Sequence, residues 1–165
     1  MEVSKHIVDL VTNSFEALAK HILVMLTEEA DGSVTLCVSD DGVGIKEEDV
    51  VKALAGEKTP RGNGLRLLKE AADDLQYGSD ERGTHVCAAF RSMQIGNVGD
   101  ALIVFWQEMR ITAITLSAVS PRGEFCFDSR LIGEKYGDPA DIQTMVKVRK
   151  DVNYALTNLF GGKKE

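Results

Sequence analysis

The sequence predicts an α/β fold of two layers, a mixed or antiparallel sheet covered by helices, with a small α+β region toward the C-terminus. Three observations carry that reading. Apolar residues recur at helical spacing near the N-terminus, two apolar runs flank a polar turn, and a helix-spaced set runs on toward a strand opened by glycine. The chain has 165 residues, 44% hydrophobic and 27% charged, so it can build a core without a disulfide or metal staple, and disorder is excluded.

Ile7, Leu10, Val11, Phe15 and Leu18 define an amphipathic helix over 7–18. The runs 21–26 and 33–38 flank a polar stretch ending in Asp31-Gly32, which predicts a β-hairpin. Residues 46–55 form a short helix whose first turn holds Glu47, Glu48 and Asp49, where the helix dipole favours negative charge. A Gly- and Pro-bearing loop covers 56–64, and Leu65, Leu68, Ala72 and Leu75 then keep helical spacing. Residues 83–90 are a strand.

Beyond Phe90 the expected elements are a helix over 97–109, strands over 110–119 and 124–128 joined by Ser120-Pro121-Arg122-Gly123, and a helix over 138–160 opened by Asp138-Pro139. Residues 1–92 are therefore expected to form one domain and 93–165 a small C-terminal interaction region. The tail 161–165 is expected to fray.

The net charge is −7, from 26 acidic and 19 basic residues, and no long basic run occurs. That balance argues against a nucleic-acid partner, whose phosphates demand a basic surface. The apolar runs 22–26 and 101–106 are far shorter than the ~20 residues that cross a bilayer. The N-terminus reads without a secretory signal. Cys37, Cys87 and Cys126 match neither a disulfide framework nor a C-x-x-C knuckle, so they are expected to be reduced, small buried hydrophobes in a cytoplasmic protein.

Four features carry chemistry. Asp9 and Asn13, spaced by four, project from one helix face, where a carboxylate beside a carboxamide suits a water and a metal. In Asp40-x-Gly42-x-Gly44 the glycines admit a flat ligand close to the backbone, and Asp40 can accept from an exocyclic amine. Gly62-x-Gly64-Leu65 opens a helix with free N–H groups, an anion site to which Lys58, Thr59 and Arg61 add two positive charges and a hydroxyl. Gly83-Thr84 begins the last strand of this half.

In order and spacing these motifs resemble the ATP-binding superfamily of DNA gyrase B, Hsp90, histidine kinases and MutL. The segment 9–17 looks like its N-box, 40–44 like its first glycine box, 62–65 like its second, and Gly83-Thr84 with Phe90 like its closing strand; the likeness covers residues 5–90. The resemblance implies a Bergerat-type fold that binds ATP and Mg²⁺. By that likeness Asn13 would coordinate the Mg²⁺, Asp40 would accept from the adenine amine, Gly42 and Gly44 would line the base pocket, and Thr84 would assist through its hydroxyl and a water. The loop 56–64 would be the lid, with Lys58, Thr59, Arg61, Gly62 and Gly64 near the phosphates. Asp9 would stand where hydrolytic members carry a glutamate that activates water, and Arg66 where many kinases carry another glycine. Phe125–Arg130, with the opening Lys5–Asp9, is similar to small stand-alone kinase-like ATPases encoded near iron-only hydrogenase genes.

Plainer roles compete at several positions. Asp9 reads equally as a solvent-facing acid or a base. His6, His21 and His85 read as packing or surface residues, and Phe105-Trp106 as core or dimer contact. The expected function is Mg²⁺-ATP binding with protein kinase activity, of serine or histidine type, or weak ATPase activity, alongside a protein partner and a homodimer contact. The alternatives are a non-catalytic module whose lid ordering switches partner affinity, and a structural domain that has lost the nucleotide.

Overall fold

The computed structural model describes residues 2–57 and 63–160, with residue 63 by its backbone alone. Helix α1 (Val3–Glu16) buries Val3, Ile7, Leu10 and Val11 as one stripe. It ends two residues before the expected limit: Leu18 takes a left-handed φ of 62° and its side chain points to solvent, 74% exposed. Strands β1 (His21–Glu28) and β2 (Val34–Asp40) form the expected hairpin, antiparallel with Val24 opposite Val38. Helix α2 (Glu47–Leu54) follows, with its three acids in the first turn.

Helix α3 (Asn63–Ala71) stops short of Leu75, which belongs to strand β3 (Asp74–Asp80). Helical spacing through Leu75 concealed this strand. Its composition, Asp-Leu-Gln-Tyr-Gly-Ser-Asp, has low strand propensity, and pairing along β4 (Gly83–Phe90) overrides it. Helix α4 (Val98–Ile103) and a 3₁₀ turn at Glu108–Arg110 replace the single helix expected over 97–109. Strands β5 (Ala113–Ser120) and β6 (Gly123–Asp128), a 3₁₀ turn at Ser129–Leu131, and helices α5 (Ile132–Lys135) and α6 (Ile142–Phe160) complete the described chain.

All six strands share one sheet in the order β3-β4-β2-β1-β5-β6. Every pairing is antiparallel except β1 with β5, which is parallel and sets Val24 beside Leu116. A parallel neighbour requires a crossover of a dozen or more residues, and that connection carries the chain through the helices before it returns to β1. The segments on either side of residue 92 therefore meet along β1 and share one apolar core, in which Phe15 of α1 stacks on Phe105 at 5.3 Å. Phe105 and Trp106 are core residues, and the Trp106 indole donates to the Pro139 carbonyl at 3.0 Å.

Burial alternates along the strands. Ile22, Val24, Leu26, Leu36, Val38, Val86, Ala88, Ile114 and Leu116 lie under the helices, while Leu23, Met25, Cys37 and Cys87 on the other face are half-buried. The cysteines depart from expectation. Cys37 and Cys87 lie directly opposite each other in the β2–β4 ladder, with Cα atoms 4.1 Å apart, and form a disulfide; Cys126 is free and exposed. None of the three is the buried hydrophobe that the sequence suggested, because all three occupy outer-face positions of their strands.

Leu116 is wholly buried where β5 meets β1. Leu116→Ala is expected to cost about 2–5 kcal/mol, read as a lower urea midpoint of the whole chain. A loss within about 0.5 kcal/mol, as for a surface change, would show that β5 does not close the core.

Candidate nucleotide site

The candidate site is assembled where β2 and β4 end beneath α1. The antiparallel register sets Asp40 directly opposite Thr84. Asp40 is held by two donors: the Gly42 N–H reaches Oδ1 at 2.9 Å and the Ser14 hydroxyl reaches Oδ2 at 2.5 Å. Each carboxylate oxygen retains a further lone-pair position, so the side chain is fixed in direction and can still accept from a ligand.

The glycine turn beyond Asp40 is set by close approach. A Cβ on Gly42 would lie 2.6 Å from the Ala17 carbonyl oxygen and 2.8 Å from the Ala17 Cβ, and the adjacent Val43 N–H donates to that carbonyl at 2.8 Å. Gly44 takes φ +81°, and a Cβ there would meet the Ser79 hydroxyl at 2.4 Å. Ser79 and Thr84 hydroxyls are 3.2 Å apart. Asp40, Ser14 and Thr84 face a cavity also lined by Leu10, Asn13, Ala17, Val38, Ile45, Leu65, Tyr77 and Val86. It encloses about 20 Å³, room for about one water. The Tyr77 hydroxyl is shut off from solvent and has no hydrogen-bond partner among the described residues, an unmet polar group in a lining that mixes apolar side chains with Asn13, Ser14, Asp40 and Thr84.

Asp9 lies one turn before Asn13 on α1 and is half-buried. Burial raises its carboxyl pKa, with the charge of His6 opposing. His6 is buried at 2% exposure, stacks on Phe90 at 5.7 Å and has neither ring nitrogen hydrogen-bonded among the described residues; burial lowers its pKa, against the pull of Asp9. It is a core side chain. The N-terminal end of α3 packs onto Asp9: a Cβ on Gly64 would lie 2.8 Å from the Asp9 Cβ.

The structure thus brings Asp9, Asn13, Asp40, Gly42, Gly44, Gly64 and Thr84 to one end of the sheet. Lys58, Thr59, Arg61 and Gly62 lie outside the described residues. Sequence reasoning missed three contributors. Ser14 stands inside the N-box segment, and a hydroxyl on an otherwise apolar stripe was its only signal. Tyr77 was hidden with β3. Asp41, next to Asp40, turns away from the cavity and accepts from the backbone N–H groups of Lys20 at 2.7 Å and His21 at 3.0 Å and from His21 Nδ1 at 2.8 Å, tying the turn to the start of β1.

The sequence profile of the histidine kinase-, DNA gyrase B- and HSP90-like ATPases matches residues 1–85. The chain belongs to that family of ATPases. No curated protein matches the sequence. Among solved structures, the N-terminal domain of a DNA repair protein is similar at TM-score 0.55 and 19% identity, covering 82% of this chain and 57% of that one. The Aquifex aeolicus MutL ATPase domain complexed with ADP is similar at TM-score 0.50 and 14% identity, covering 90% of this chain and 68% of that one. The chain spans little more than half the length of the first. At these identities the likeness concerns the fold, and it agrees with the helix-covered mixed sheet expected from the sequence.

Burial pushes the Asp41 carboxyl upward, but the His21 ring, the two backbone N–H groups and the His21 charge outweigh it and hold the pKa at about 2. The stability this gives is present above the ordinary aspartate value of about 3.9 and is lost as pH falls from there through about 2. Denaturant titrations across this range should show the gap between wild type and Asp41→Asn constant at neutral pH and shrinking in acid. A gap that persists unchanged down to pH of about 2 would contradict the clamp.

Proposed function

We propose that this ATPase-family domain binds Mg²⁺-ATP with the adenine between α1 and the ends of β2 and β4, and uses it in phosphate transfer to, or weak hydrolysis with, a protein partner. The observation that carries the reading is Asp40: a carboxylate fixed by Ser14 and Gly42, opposite the Thr84 hydroxyl, in a recess that also holds the Tyr77 hydroxyl, which has no partner among the described residues. The donor set suits a purine. Asp40 accepts from the exocyclic amine, Thr84 serves the ring through its hydroxyl, and Gly42 and Gly44 leave the ring face clear.

Asn13 would hold the Mg²⁺, which when bound offsets phosphate charge. Gly62, Gly64, Lys58, Thr59 and Arg61 would serve the phosphates through N–H donors, charge and a hydroxyl. Asp9, its carboxyl pKa raised by burial, would be the base that takes a proton from water. Its side chain is one methylene shorter than glutamate, which favours slow turnover. A cytoplasmic setting and a homodimer belong to the same reading; no described helix is long and apolar enough to cross a membrane.

One observation favours a second reading, a module gated by ATP. The cavity holds about one water, with Leu65 of α3 among its walls and Gly64 seated on Asp9. Admitting a purine therefore moves α3 away from α1, and a partner that senses α3 would sense nucleotide.

One substitution tests the pocket that both accounts share, and a second separates them. Asp40→Asn presents a mis-set amide to the adenine amine, at a cost of ~1–3 kcal/mol, so ATP affinity by calorimetry should fall several-fold or more. Asp9→Asn should keep the affinity and lower phosphate release by roughly 10²–10⁴. Wild-type affinity in Asp40→Asn would remove the proposed pocket. Unchanged phosphate release in Asp9→Asn would leave the gated module as the better account.

A further inference from the structure

Outside the cavity, on the opposite face of the sheet, a second cluster has no part in the nucleotide reading. His85 and Cys87 are two apart on β4, so both project from the outer face, and Cys37 stands directly across on β2. Their ligand atoms all lie within 4.8 Å of one another, with His85 Nε2 3.1 Å from Cys87 Sγ. The other ring nitrogen, Nδ1, lies 2.7 Å from the Ser39 hydroxyl. With Nδ1–H donating to Ser39, the lone pair of Nε2 is left facing the sulfur. A hydrogen bond of this kind is what orients metal-ligating histidines.

We propose that Cys37, Cys87 and His85 form a binding site for a soft divalent cation of the zinc class, closed when the two sulfurs are joined and open when they are reduced. Two thiolates and one imidazole are a ligand set that zinc accepts, with a fourth position left to water. With metal–sulfur bonds of about 2.3 Å, tetrahedral coordination sets the sulfurs about 3.8 Å apart, so the disulfide and the metal exclude each other. Side-chain rotation about Cα–Cβ supplies that separation while the β2–β4 ladder stays paired. The exchange balances: a dithiol reductant gives two electrons and two protons to the Cys37–Cys87 bond and closes to its own disulfide. Each freed thiol then releases its proton to water as its sulfur donates a lone pair to the cation. His85 is exposed, so reductant and metal reach the cluster from solvent.

The test uses the full chain, reduced with dithiothreitol, freed of reductant without air and titrated with Co²⁺. One equivalent should give a thiolate-to-cobalt charge-transfer band that Zn²⁺ abolishes. Protein left oxidised should show none. Cys37→Ser and Cys87→Ser should each lose most of the band, Cys126→Ser should keep it, and Ser39→Ala should weaken affinity by about 10–100-fold. His85→Ala retains both thiols and should bind more weakly still, with a changed visible spectrum. The proposal is overturned if the reduced wild type gives no band, if the band survives in Cys37→Ser/Cys87→Ser, or if His85→Ala matches wild type in affinity and spectrum. A pair that resists excess dithiol overturns it equally.

Discussion

The register of β2 against β4 is the constraint on which the rest of the molecule depends. It is fixed by burial: Leu36, Val38, Val86, Ala88 and Phe90 alternate onto the helix-covered face, and a slip of one residue would turn the apolar set of the slipped strand to the opposite face. That register sets Asp40 opposite Thr84 at the strand ends, and three positions back it sets Cys37 opposite Cys87 on the other face. One ladder therefore determines the candidate nucleotide pocket and the candidate metal cluster, and neither residue pair could meet in another register.

The central strand β1 links this ladder to the remainder of the chain. It pairs antiparallel with β2 and parallel with β5, and Asp41 fastens its first residues to the glycine turn through Lys20 and His21. From the other side the Ala17 carbonyl receives Val43 N–H. Gly42 is thereby caught between the end of α1 and the strand ends, close enough that any side chain would collide with Ala17. The position of the turn follows from the packing of α1 on the sheet, so strength in the core becomes precision at Asp40. Close to that point the Tyr77 hydroxyl is buried without a hydrogen-bond partner among the described residues, and such atoms are uncommon enough to mark a place where water or ligand belongs.

Much of this could be read from the sequence, for identifiable reasons. Helix α1, the β1–β2 hairpin and β4 announce themselves through local periodicity and turn residues, and the residues Asp9, Asn13, Asp40, Gly42, Gly44, Gly64 and Thr84 do converge at one end of the sheet. What escaped was non-local. Strand β3 has poor strand propensity and exists through its pairing with β4, so Tyr77 was hidden with it. The Cys37–Cys87 bond joins residues 50 apart, and spacing alone holds no record of which strands are neighbours. The parallel pairing of β5 with β1 was equally silent, which is why a boundary at residue 92 looked natural in the sequence while the sheet runs across it.

The central claim is that adenine nucleotide enters between α1 and the ends of β2 and β4. Amide hydrogen exchange of the full chain with and without Mg²⁺-ATP tests it most directly, because it locates the ligand without changing a residue. The account predicts slower exchange confined to Asp40–Gly44, Gly83–Val86 and the α1 segment around Asn13, with a change of either sign in α3 as it yields to the base. Unchanged exchange in those segments at saturating ATP, or protection concentrated instead around Trp106 and Arg130, would contradict it.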